Sequence, residues 1–159
     1  MLGADYPFSE AVEVNDWTYD GNFIGKTHES SKFFDPPGSM KLAWNDSGFI
    51  GGAIKRTFPA PVDFRTRELS LYVKCPAEMA GHYITIYVMT ATGNTSDYAI
   101  GTINNLGGWQ HFTLNFNGWN PGGTADLAQV TAIYLGIYNF AAPNPLICDI
   151  YFESIDFDY

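Results

Sequence analysis

The sequence predicts an all-β fold, a jelly-roll β-sandwich of two antiparallel sheets, over one domain of residues 1–159. Three observations carry this expectation. Apolar and polar residues alternate with period two in one segment after another. Clusters of Gly, Pro and Asn separate these segments at short intervals. No segment holds a helical period apart from a single turn at Ala125–Gln129, and no linker or internal repeat breaks the pattern.

Taken in order, the alternation places a first strand near Val12–Trp17 and a second at Met40–Trp44, where Met40, Leu42 and Trp44 share a face. Ile50–Phe58 follows, then Glu68–Lys74, with Leu69, Leu71 and Val73 on one side. In Tyr83–Met89 the residues Ile84, Ile86 and Val88 turn inward, leaving Tyr83, Thr85, Tyr87 and Met89 outward. Asp97–Ile103 and Trp109–Phe116 come next. In Val130–Tyr138 the inward set is Ile133, Leu135 and Ile137, and the outward set is Tyr134, Gly136 and Tyr138. Leu146–Phe157 closes the series. Asp35-Pro36-Pro37-Gly38, Thr92-Gly93-Asn94, Asn120-Pro121-Gly122-Gly123 and Ala142-Pro143-Asn144-Pro145 supply turns between them. Trp44 reads as core and Trp109 as a packing residue, whereas Trp17 and Trp119 lie near loops.

Charge narrows the partners. The chain carries a formal net charge of -9, and its eight Lys and Arg are scattered along the sequence. Such a surface repels phosphate backbones and anionic lipid, so nucleic acid and membranes are excluded as partners. No stretch approaches the apolar length of a membrane span. Met1–Asp5 lacks the basic and apolar regions of a signal peptide and reads as the start of an excised module. Aromatic residues reach 16%, more than a core of this size needs, and the surplus points to a binding surface.

The outward tyrosines fit that surplus. A sugar ring has apolar C–H faces and a polar rim; a flat aromatic ring covers the face, and its hydroxyl or a polar neighbour reaches the rim. Tyr83, Tyr87, Tyr134 and Tyr138 lie on two strands with this outward parity and form the candidate binding face.

Several short motifs occur in order over nearly the whole chain. They include Asn15-Asp16-Trp17-Thr18-Tyr19-Asp20-Gly21, Gly48-Phe49-Ile50-Gly51-Gly52, Leu69-Ser70-Leu71-Tyr72-Val73-Lys74, Gly108-Trp109-Gln110-His111-Phe112 and Ile150-Tyr151-Phe152-Glu153. In this the chain resembles carbohydrate-binding modules with a galactose-binding-domain-like sandwich, most of all the family 11 modules that bind β-glucans. The resemblance implies further stacking positions at Tyr19 and at Phe49, where the family has Tyr, and again points to Tyr138. It offers no counterpart for the acidic residues the family sets around its cleft. It also implies a structural calcium between the first and last strands, with Glu153 and Glu13 or Asp16 as candidate ligands.

Other chemistry finds little support. Cys75 and Cys148 read either as two buried thiols or as a disulfide between two strands. His28, His82 and His111 have no metal-ligand spacing, and His111 could border a cleft. Asp149 and Glu153 share a strand face, the minimum a glycosidase would need, and Lys55, Arg56, Arg65 and Arg67 are the cations a lyase would use. The expected function is a secreted, non-catalytic module that binds a β-linked polysaccharide (β-glucan, xyloglucan or mannan) and is tethered to a catalytic domain. A protein-interaction or adhesin sandwich is the alternative, and a small glycan-cleaving enzyme comes third.

Overall fold

The computed structural model describes residues 11–32, 38–46, 51–104, 107–138 and 146–157. A short helix α1 (Ala11–Asn15) leads into β1 (Trp17–Gly21) and β2 (Phe23–Glu29). There follow β3 (Ser39–Asn45), β4 (Gly51–Val62), β5 (Glu68–Lys74), β6 (Tyr83–Thr90), β7 (Tyr98–Thr102), β8 (Trp109–Asn115), β9 (Val130–Tyr138) and β10 (Ile147–Asp156). The strands form two five-stranded sheets, ordered β1-β4-β9-β6-β7 and β2-β3-β10-β5-β8. All pairings between named strands are antiparallel. The expected jelly-roll sandwich of two antiparallel sheets is the observed architecture. The turn expected at Ala125–Gln129 is a 3-10 turn over Leu127–Gln129, capped by the Asp126 carboxylate, which accepts from the Ala128 N–H at 3.0 Å.

The start of the chain differs from expectation. Val12–Asn15 is helical, and the first strand begins only at Trp17. Alternation over so few residues cannot separate a strand from one helical turn. Where one strand was expected there are two, one in each sheet. Gly21, at a φ of 65°, makes the crossing: a Cβ there would stand 2.3 Å from the Gly51 carbonyl oxygen. Asn22 beyond it is buried and donates from Nδ2 to Asp46 Oδ1 at 3.1 Å. β2 left no periodic signal because Phe23 enters the core while Ile24 stays 57% exposed.

The inward faces named from the sequence meet between the sheets. Trp44, Leu42, Leu71, Ile86, Leu135 and Phe152 are fully buried in one hydrophobic cluster. Each such side chain contributes roughly 1.5–3 kcal/mol by leaving water. Rings close both ends. Phe64 packs on Phe58, Phe116 and Phe157 with centroids 5.3–5.8 Å apart, and Phe23 meets Trp44 edge-on at 5.1 Å. Trp17 lies wholly in the core rather than near a loop surface. Trp119 plugs one end of the sandwich, edge-on to Phe116 at 5.4 Å and to Tyr98 at 5.6 Å. Cys75 and Cys148 are both thiols here. Burial pushes the Cys148 thiol up to about 12 and raises Cys75 beyond the ordinary thiol range, so neither is a ready nucleophile.

Candidate functional site

Register across the first sheet sorts its outer face into three rows. The middle row runs Asp20, Ala53, Gly136, Thr85, Ala99, from β1 at one edge to β7 at the other. Its centre is therefore made of small side chains. On one side stands a row of Thr18, Lys55, Tyr134 and Tyr87. On the other, Gly51, Tyr138 and Tyr83 are paired. A low floor between two aromatic rows is a groove, and a cavity of about 240 Å³ lies there, lined by Asp20, Ala53, Thr85, Tyr87, Asp97, Tyr134, Gly136 and Tyr138.

The glycines explain how the rings lie. A Cβ on Gly51 would come within 2.5 Å of the Tyr138 ring, and one on Gly136 within 2.6 Å of the same ring. Tyr138 thus lies down over two residues that have no side chain to hold it upright. Any larger residue at either position would push the ring off the sheet. Tyr134 and Tyr87 instead brace each other edge-to-face at 5.4 Å and 76°. The Lys55 ammonium sits 5.1 Å from the Tyr134 ring centroid.

Two carboxylates stand over the floor from opposite edges of the sheet. Asp20 on β1 accepts from the Ala53 N–H at 3.2 Å, which fixes one oxygen at the groove's edge. Asp97 comes from the segment before β7. Burial raises the Tyr138 hydroxyl above the ordinary phenol range, and the charges of Asp97 and then Asp20 raise it further. The hydroxyl is therefore held as a donor. The groove offers aromatic faces, two acceptor carboxylates, a phenolic donor, the Thr85 hydroxyl and one ammonium. That set matches the apolar faces and hydroxyl rim of a sugar.

Of the stacking residues expected from the sequence, Tyr87, Tyr134 and Tyr138 line the groove. Tyr83 stands directly across from Tyr138, on the same face but outside the cavity lining. Tyr19 is different. It pairs with Ile54, a core residue, so its parity is that of the inner side, and it is 40% exposed at the sheet edge. Its neighbour Asp20 is the β1 residue that reaches the groove. Phe49 lies outside the described residues. Sequence reasoning missed Asp20, Asp97 and Lys55 as groove residues. Alternation counted from Trp17 would have found Asp20 and, through pairing, Lys55. Asp97 has no such signal, because a loop brings it in.

The carboxylates expected to hold calcium lie on three different segments. Glu13 lies in α1, Asp16 precedes β1 in the first sheet, and Glu153 is fully buried in β10 of the second sheet, across from Tyr72. Among the described residues no three His, Cys, Asp or Glu form a metal-sized group. A lysine binds the backbone at this corner. Lys26 Nζ donates to the Val14 carbonyl at 2.8 Å and to the Trp17 carbonyl. Burial lowers its pKa and the Asp16 carboxylate partly offsets that. The Lys26 ammonium thus ties the carbonyl of Val14 in α1 to that of Trp17 at the start of β1.

Two of the three histidines pack against aromatic rings. Tyr72 stacks on His111 at 4.4 Å and 10°, and Ser70 Oγ lies 2.7 Å from His111 Nε2, all on the outer side of the second sheet. His82 is buried edge-on to Trp44 at 6.4 Å.

No family model and no curated protein matches the sequence. Solved structures do match. A carbohydrate-binding module of the β-sandwich superfamily superposes with a TM-score of 0.61 at 13% identity, over 89% of this chain and 56% of that one. The family 11 carbohydrate-binding module of the cellulosomal cellulase Lic26A-Cel5E of Clostridium thermocellum gives 0.60 at 16% identity, over 90% and 87%. The fold is that of the β-sandwich carbohydrate-binding modules. An exo-β-agarase gives a TM-score of 0.69 at 13% identity, over 97% of this chain and only 24% of the agarase. The chain thus spans about half of the first of these proteins and a quarter of the last.

Proposed function

We propose that the chain is a non-catalytic, extracellular module that holds a neutral β-linked polysaccharide in the groove of its first sheet, for an enzyme to which it is tethered. The observation that carries this reading is the row of small residues Ala53, Gly136 and Thr85 between two tyrosine rows, with Asp20 and Asp97 over its ends. Sugar rings lie on Tyr138 and against the Tyr87–Tyr134 pair while their hydroxyls donate to the two carboxylates. The groove runs across the strands between the sheet's edges, so a chain of sugars can enter and leave it. The family 11 module, a xylan-binding domain of family 22 and two agarases share the fold, which supports mixed-linkage β-glucan, xylan and agarose as first probes beside xyloglucan and mannan. Tethering to an enzyme raises local substrate concentration without a tight site.

Affinity gel electrophoresis against these neutral polymers tests the reading. Retardation by at least one polymer is expected, and Tyr87→Ala, Tyr134→Ala and Tyr138→Ala should each weaken it. Full retardation of all three variants would place the site elsewhere. Release of reducing ends from a retained polymer, lost in Asp20→Asn or Asp97→Asn, would make the protein an enzyme.

A further inference from the structure

The second sheet gathers lysines around one ring, Tyr151, which is itself 5% exposed. Across β3, β10, β5 and β8 the register sets Lys41, Tyr151, Lys74 and Trp109 in one outward row. A lysine thus flanks Tyr151 on each side. A third, Lys32, donates to the Tyr151 hydroxyl at 3.2 Å, with its Nζ 5.3 Å from the ring centroid. Trp109 meets the Tyr151 ring edge-on at 6.5 Å. Beside them lies a cavity of about 230 Å³, with Lys32, Lys74, Pro76, Gly107, Asp149 and Tyr151 in its lining. It is smaller than the roughly 300–1,000 Å³ of sites for drug-sized ligands, which suits a single sugar residue.

Three of the eight basic residues of a chain with net charge -9 therefore converge on one ring. Acids stand nearby as well: Asp149 in the lining, and Glu78, whose charge acts on Cys148 of the same lining. Asp149, the carboxylate in the lining, pairs with Lys41 at 3.4 Å. Glu29 and Asp149 act on Lys32 only through their charge, without forming an ion pair. Among the described residues no carboxylate lies within ion-pair distance of Lys74. Two ammoniums thus border a sugar-sized cavity whose lining takes in the edge of the largely buried Tyr151.

We infer that this cavity is a second site, for a sugar bearing an anionic substituent, with Lys32 and Lys74 holding the anion and the cavity wall around the edge of Tyr151 holding the sugar body. A carboxylate or a sulfate ester supplies the same chemistry, two or more acceptor oxygens facing ammonium donors. The inference is independent of the groove on the first sheet. Most of the surface repels a polyanion, so binding here is local and salt-sensitive.

The test uses the whole chain in affinity electrophoresis and calorimetry, with polygalacturonate as the carboxylated probe and carrageenan as the sulfated one, at low and at molar salt. Binding of at least one is expected at low salt and its loss at high salt, and which polymer binds identifies the anion. Lys32→Gln with Lys74→Gln should weaken that binding at least tenfold and leave neutral-glycan binding by the parent groove unchanged. Tyr138→Ala should do the reverse. Absence of binding to both polymers at low salt would overturn the inference, as would binding that survives the double lysine change. Neither outcome bears on the neutral-glycan groove, whose failure would appear only with the neutral polymers. Urea midpoints of the variants confirm that they are folded.

Discussion

The outer faces of the two sheets use similar residue types and reach different surfaces. On the first sheet the rings stand apart, because the row between them is Ala53, Gly136 and Thr85, and the result is a groove. On the second sheet the rings pack on one another: Tyr72 stacks on His111 and Trp109 abuts Tyr151. Charge differs as well. Asp20 and Asp97 overlook the first face, whereas Lys32, Lys41 and Lys74 surround Tyr151 on the second. Counting exposed aromatics would not separate these faces. The size of the residues between the rings decides whether a face is concave, and the sign of the charges beside them decides what it attracts.

The sharpest way to break the comparison is to fill the groove. Gly136→Val puts a Cβ where the structure leaves only 2.6 Å to the Tyr138 ring and 2.8 Å to Thr85 Oγ1. Neutral-glycan binding should fall beyond detection in calorimetry, with a stability cost of about 1–3 kcal/mol in urea unfolding from overpacking. Unchanged binding would mean that the floor is not the site. Tyr138→Ala keeps the floor and removes one ring, so it should weaken binding about tenfold, which is about 1.4 kcal/mol.

The next effect concerns the corner where the chain passes from one sheet to the other. Lys26→Met leaves the Val14 and Trp17 carbonyls without their ammonium donor. Urea unfolding should show a loss of about 1–3 kcal/mol. The parent's midpoint should be insensitive to a chelator, and added calcium should not rescue the variant. Rescue by calcium would show that a metal can take the position.

The smallest effect is one of pH. Burial holds the His82 pKa below its ordinary value, against the raising influence of the Met79 backbone and the Asp46 carboxylate. The unfolded chain then binds its proton at a higher pH than the folded one does. This contribution to stability is complete above the ordinary histidine range and declines as pH falls through it. Thermal midpoints measured between pH 7.5 and 5 should drop, and His82→Phe should flatten that drop if the ring fits beside Trp44. An equal drop in the variant would assign the dependence to other groups.

Much of the fold was legible because β5, β6 and β9 alternate without interruption. Leu69, Leu71, Val73, Ile84, Ile86, Ile133, Leu135 and Ile137 are all buried on the side their parity predicts. The same parity exposed three of the groove's tyrosines. The edges were not legible. β2 has one core residue and an exposed isoleucine, and α1 is too short for its period to register. Starting the first strand too early also hid Asp20, which lies on a strand no one would place without Gly21 as the turn. The clustering of the lysines was hidden for another reason. Lys32, Lys41 and Lys74 look scattered in sequence; strand order brings Lys41 and Lys74 beside Tyr151, and the segment after β2 brings Lys32.

The most direct test of the two-faced account is a titration of the isotope-labelled chain with a neutral β-glucan oligosaccharide, followed amide by amide in NMR. The account predicts that Ala53, Thr85, Tyr87, Tyr134, Gly136 and Tyr138 move together with one affinity, while Tyr72, Lys74, Trp109 and Tyr151 stay in place. Shifts confined to the second sheet, with a motionless groove, would contradict it.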